Sequence, residues 1–344
     1  MIINQKSDFI NDIKIERGKR YRINIDIGRI HDFTDLKMPI EVVSGYKEGP
    51  TIFVCSTIHG DEINGIEIIR NLLANIDEKK LCGKLIAIPI VNIFGFNDHS
   101  RYLPDRRDLN RCFPGIKNGS LASQLAYVFM QEIVLKSDYG IDIHSASMHR
   151  VNYPQLRIDT DNEANLELAK IFSPPVIVNS NLRDGSLRSV GAELKIPIIV
   201  YEAGEILRFD KNATNIGLQG IYNVMHHIKM LESPITNSGD YKNTFIAQSS
   251  TWIRAIQSGI FVPEVELGDR VKKNQIIATI SNPFGDNKIA INSHEDGVII
   301  GLTKIPLVNK GDALMHLGLD KNSDSKDINY FAMSGHENLS SNLD

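Results

Sequence analysis

Hydrophobic and polar positions divide the chain into two regimes. Over the first two thirds, five short runs are apolar at nearly every position: TIFVCSTI (51–58), KLIAIPIVN (84–92), YGIDIHS (139–145), PPVIVNS (174–180) and IPIIVYEAG (196–204). A strand with one wet face alternates polar and apolar residues, whereas unbroken runs suit strands covered on both faces, as in a parallel or mixed sheet. Between these runs, residues 62–76, 120–136 and 161–172 repeat their apolar positions every three or four residues, the spacing of one helix face. A further helix over 215–232 closes the series. Strands alternating with helices predict an α/β sandwich, with a parallel or mixed sheet between helices. Upstream, PIEVVSG (39–45) before the KEGP turn predicts an edge strand that enters the sheet by a hairpin.

After the polar stretch SPITNSGDYKN (233–243) the pattern changes to short strands and glycine turns. That change predicts three parts: an α/β domain over 1–232, a compact all-β domain over 244–318, and a loosely ordered tail over 319–344. The predicted carrier of chemistry is the first part. No apolar run approaches the ~20 residues of a membrane span, and the polar N-terminus lacks a secretory signal's apolar centre, so a cytoplasmic location without membrane partners is expected. Three cysteines without CxxC spacing argue against a disulfide framework or a thiolate metal site. With 38 basic and 42 acidic side chains the chain has no general attraction for nucleic acid. A small molecule is the expected partner, while a homo-oligomer is neither indicated nor excluded by composition.

The sharpest local feature is His59-Gly60-Asp61-Glu62, where a buried run gives way to a helical one. His59 and Glu62, three residues apart, can project toward one point across the first helical turn. His144, at the end of YGIDIHS, is the expected third ligand, because α/β sheets gather ligands at the carboxyl ends of their strands. Two histidines and a carboxylate leave an open position, the pattern of a catalytic zinc. The segment 95–115, GFNDHSRYLPDRRDLNRCFPG, holds Arg101, Arg106, Arg107 and Arg111 and is long for a loop without binding duty. Glu202 stands at the end of the last buried run, where an unpaired carboxylate is costly. Taken singly, these residues also fit blander roles: a hydrogen-bonded structural histidine, a solvated arginine face and an ion-paired glutamate.

Four motifs in order, HGDEINGIEIIRNLL, RYLPDRRDLNRCFPG, DIHSASMHRVNYPQLR and VYEAGE, resemble the succinylglutamate desuccinylase/aspartoacylase family, related in fold to zinc carboxypeptidases. The resemblance spans roughly residues 40–318. It implies a zinc-carboxypeptidase-like mixed sheet and one Zn2+ per chain on His59, Glu62 and His144. It further implies Glu202 as the catalytic carboxylate, Arg101 as the group that polarises the scissile carbonyl, and Asn110 with Arg111 as the holders of a substrate carboxylate. The interval between RY and DLNR is longer here than in several members, which leaves Arg107 as a rival to Arg101. The segment 149–157 further implies Arg150 and Asn152 as pocket residues.

The expected activity is hydrolysis of a small, anionic N-acyl amino acid or a related amide. Water activated by zinc attacks the carbonyl, and Glu202 acts as general base and then acid. Two readings compete: a zinc carboxypeptidase acting on peptides, and an inactive metal- or ligand-binding protein of the same fold. In the C-terminal part, SGIFVPEVELGDRVKKNQIIATI resembles half of a biotinyl/lipoyl carrier barrel. The turn that would present the modified lysine reads SNPFGDN (281–287) and has none. A role in shaping the mouth of the zinc site is therefore expected.

Overall fold

The structure, a computed structural model, describes residues 8–233 and 244–320. In chain order the first part contains β1 (Lys19–Arg29), β2 (Asp35–Ser44), β3 (Lys47–Ser56), α1 (Asn64–Asn75), β4 (Cys82–Ile88), α2 (Ile93–Asn97) and α3 (Leu121–Glu132). It continues with β5 (Tyr139–His144), β6 (Arg150–Ile158), α4 (Glu163–Phe172), β7 (Val176–Asn179), α5 (Leu187–Leu194), β8 (Ile198–Gly204) and α6 (Lys211–His227). Their order across the sheet is β1-β2-β4-β3-β5-β8-β6, with β7 beside β6. The central strands β4, β3, β5 and β8 run parallel, and the flanking pairs β2·β4 and β8·β6 are antiparallel.

The unbroken apolar runs have the predicted cause. Along β3, Phe53 and Cys55 enter one core with Ala122, Leu125 and Phe129 of α3 and Leu187 and Val190 of α5. Ile52 and Val54 enter the opposite core with Ile68 and Leu72 of α1, Phe172 of α4 and Ile216 of α6. Both faces are thus covered by helices, and each fully buried Phe or Leu contributes about 1.5–3 kcal/mol. Five helices start at side-chain caps: Asn92, Ser120, Asn162, Ser186 and Asp210 each accept from a backbone N–H three residues on. Helix α1 has no such cap.

The hairpin expected across KEGP is corrected. Residues of KEGP lie inside β3, and β2 pairs with β1, from Lys19↔Ser44 to Arg29↔Asp35, and with β4. The edge strand is therefore β1, and β4 is inserted between β2 and β3. Strand β6 was not among the five runs, because its sequence RVNYPQLRI interleaves polar side chains that face the site.

The C-terminal part contributes β9 (Phe245–Ala247), β10 (Ser249–Arg254), β11 (Gly259–Pro263), β12 (Ile276–Ser281), β13 (Ile289–Asn292), β14 (Gly297–Thr303) and β15 (Ala313–Leu319). The change of pattern after 243 does not interrupt the sheet. β14 pairs with β6 through Gly301↔Asn152, Leu302↔Val151 and Thr303↔Arg150, and β9 pairs with β7, so a thirteen-stranded sheet spans both parts. A four-stranded antiparallel sheet containing β11, β12 and β13 is separate from it. Ile253, Phe261, Ile280, Leu314 and Leu317 belong to the core of this all-β region. Residues 321–344 of the expected tail lie outside the described residues. Among the described residues no helix is long and apolar enough to cross a membrane.

Candidate active site

The carboxyl ends of β3, β5 and β8 meet at one cavity of about 260 Å3. Beyond β3 the chain turns sharply, with Thr57 at φ 61°, a conformation uncommon for a β-branched residue. Gly60 then passes against the backbone of α2, where a Cβ would lie 1.9 Å from the carbonyl carbon of Gly95. Only glycine permits that approach, and it places His59 and Glu62 on the same side of the turn. His144 ends β5, and Glu202 lies opposite it in the parallel register of β8. Aligned residues of neighbouring parallel strands project from the same face.

His59, Glu62 and His144 are each at most 4% exposed, and one ligand atom from each lies within 4.8 Å of the others. His59 Nδ1 is 2.7 Å from Glu62 Oε1, His144 Nδ1 is 2.7 Å from Glu62 Oε2, and the two Nδ1 atoms are 3.2 Å apart. Their outer nitrogens face carboxylates: His144 Nε2 lies 2.8 Å from Asp142 Oδ2, and His59 Nε2 lies 3.1 Å from Asp108 Oδ1. Burial alone would push the Glu62 carboxyl up, but the two imidazoles hold it well below the usual carboxylate range. Burial opposes charge on His144 as well, and Asp142 and Glu62 nevertheless hold its imidazole well above the ordinary value. These residues form a group able to hold a metal ion.

Arg101 is brought to the same point. Asp108 Oδ2 accepts from its Nη2 at 2.8 Å and its Nε at 3.2 Å, leaving Nη1 3.5 Å from Glu62 Oε1. Asn110, Arg111, Arg150 and Asn152 also line the cavity. The Asn110 side-chain oxygen accepts from Leu187 N at 2.9 Å, which ties the DLNR turn to the start of α5. Glu202 accepts from Asn152 Nδ2 at 2.7 Å and pairs with Arg157 Nε at 3.5 Å. Arg107 is not brought in. The chain turns at Arg106, φ 61°, and the Arg107 side chain faces Asp105 and solvent outside the cavity lining.

Several residues in the cavity lining or directly behind it carried no earlier expectation. Asp142 was legible in hindsight as the residue two before His144 on the same strand face, and Asp108 as part of DLNR. Arg157, Arg183, Arg188 and Trp252 had no local signal, because they come together only through folding. Arg188 is buried, donates to Asn181 O at 2.7 Å, and is brought down to about 10 by burial and the neighbouring Arg157.

Among curated proteins, the chain is similar to the N-alpha-acetyl-L-2,4-diaminobutyric acid deacetylase of Halomonas elongata, at 27% identity over 289 residues, 80% of this chain and 84% of that protein. Among solved structures it is similar to a succinylglutamate desuccinylase/aspartoacylase from Rhodobacter sphaeroides (TM-score 0.77, 23% identity, covering 89% of this chain and 97% of that one). It is also similar to the product-bound ectoine utilization protein EutE (DoeB) from Ruegeria pomeroyi (TM-score 0.78, 22% identity, the same coverages). At such identities the two solved structures show a shared fold. The profile of the succinylglutamate desuccinylase/aspartoacylase catalytic domain matches residues 48–228, more than half of the chain, and the chain belongs to that family.

Proposed function

We propose that the chain is a zinc-dependent amidohydrolase that removes the acyl group from a small anionic N-acyl amino acid or a closely related amide. The observation that carries this reading is the convergence, in one cavity, of a buried His59–Glu62–His144 group with Glu202 and Arg101. The donor set fits zinc: two imidazoles and a carboxylate with room beside them, each imidazole held by a carboxylate on its far nitrogen. His59, Glu62 and His144 would hold the ion, which supplies the Lewis acidity that lets water act as a nucleophile near neutral pH.

The chain's own residues do the rest. Glu202, oriented by Asn152 and Arg157, takes the proton of the attacking water and returns it to the departing amine nitrogen. Arg101, fixed by Asp108, directs a guanidinium N–H at the developing oxyanion. Arg111 with Asn110 binds the carboxylate of the amino-acid portion, since a guanidinium presents a fork that lysine lacks. Arg150 adds positive charge to the same cavity wall.

Asp142 does not belong to the ligand set, yet its contact with His144 sets which nitrogen faces the ion. Asp142→Asn is expected to weaken zinc affinity about 10–100-fold, measured by competition with a metallochromic chelator. The reading as a whole is tested with a panel of N-acetyl, N-succinyl and N-formyl amino acids beside short peptides. Release of free acid from an N-acyl amino acid supports it, and cleavage of peptides alone would replace it with a carboxypeptidase.

A further inference from the structure

Trp252 enters the cavity from β10, in the C-terminal part, and has no role in the chemistry above. Its cross-strand partner on β15 is His316, and the two rings stack 4.2 Å apart with an interplanar angle of 5°. The guanidinium carbon of Arg150, on β6, lies 4.8 Å from the centroid of the same indole. The indole thus makes two contacts, one with a stacked imidazole and one with a guanidinium. The stack therefore joins two strands of the C-terminal part to one of the catalytic sheet.

Each member is in the state this arrangement requires. His316 is buried and its Nδ1 has no hydrogen-bond partner among the described residues. Burial, with Arg157 and Arg150 nearby, holds it well below the ordinary imidazole value, so it stacks as an uncharged plate and does not repel Arg150. Arg150 donates to Ser147 Oγ at 3.3 Å and forms no ion pair among the described residues. A long side chain of high rotamer entropy is thus fixed against an aromatic face without an ion-pair partner among the described residues.

We propose that Trp252, backed by His316, is a positioning residue that holds Arg150 at the cavity wall as a receptor for a carboxylate of the substrate. The proposal rests on the deacylase reading for its substrate and on the stack for its geometry. It makes the C-terminal part a contributor to substrate selection.

Trp252 is the chain's single tryptophan, so tryptophan emission reports this wall alone. Succinate titrated into the full-length protein is expected to change that emission saturably, with apparent affinity falling about tenfold in Arg150→Gln. With an N-acyl amino acid as substrate, Trp252→Leu raises KM about tenfold and leaves kcat within about twofold, and Trp252→Phe stays near the wild type. Trp252→Leu combined with Arg150→Gln is no worse than Arg150→Gln alone. Emission indifferent to succinate, a loss in kcat instead of KM, or additive single effects would each overturn the proposal. If Trp252→Leu does not fold, Trp252→Phe and the Arg150→Gln titration decide. A succinate response that depends on Arg150 in a protein that hydrolyses no N-acyl amino acid would sink the deacylase reading and leave the stack standing.

Discussion

Glu202→Gln is expected to lower kcat for an N-acyl amino acid about 10²–10⁴-fold, with metal content unchanged. The glutamine is isosteric and still offers an oxygen to Asn152 Nδ2, which lies 2.7 Å from the present carboxylate. Packing at the end of β8 is therefore preserved. Glu202 is not in the His59–Glu62–His144 group, so the ion remains bound. What the amide cannot do is accept a proton from water and pass it to the leaving nitrogen. Paired measurement of kcat and of metal per chain checks this, and near-normal turnover with the metal retained would remove Glu202 from the mechanism.

The second large effect is expected at Arg101. Arg101→Leu should cost about 10²–10³ in kcat, the range for losing one oxyanion donor in a dry site. The guanidinium is only 28% exposed and is gripped through two nitrogens by Asp108. Arg101→Lys keeps a positive charge but loses that two-point grip, so it should recover only part of the loss. Arg107→Leu should change kcat less than about threefold, because a solvated arginine outside the cavity contributes little. Steady-state kinetics of the three variants checks the pair, and a larger loss at Arg107 than at Arg101 would reverse the assignment.

The parallel centre of the fold was legible because its strands are apolar on both faces, and the meeting of His59, Glu62, His144 and Glu202 at one cavity because they stand at or just beyond the ends of such runs. Strand β6 was not, since Asn152, Gln155 and Arg157 interrupt its apolar pattern and serve the site and its surroundings. The misplaced hairpin has a different cause. Apolar pattern fixes which residues are buried but not which strand lies beside which, and β4 enters between β2 and β3 from about forty residues downstream. Sequence separation likewise hid Trp252, Arg183 and Arg188, whose local patterns are those of ordinary strand, loop and helix positions. Which of Arg101 and Arg107 lines the cavity depends on the left-handed turn at Arg106, which has no glycine to signal it.

The most direct measurement is acid release from an N-acyl amino acid by the full chain as purified, after chelation, and after zinc is returned, with metal per chain determined on the same samples. A metal-dependent deacylase gives about one zinc per chain, activity that disappears with the ion, and activity restored with it. Undiminished acid release from metal-free protein would contradict it.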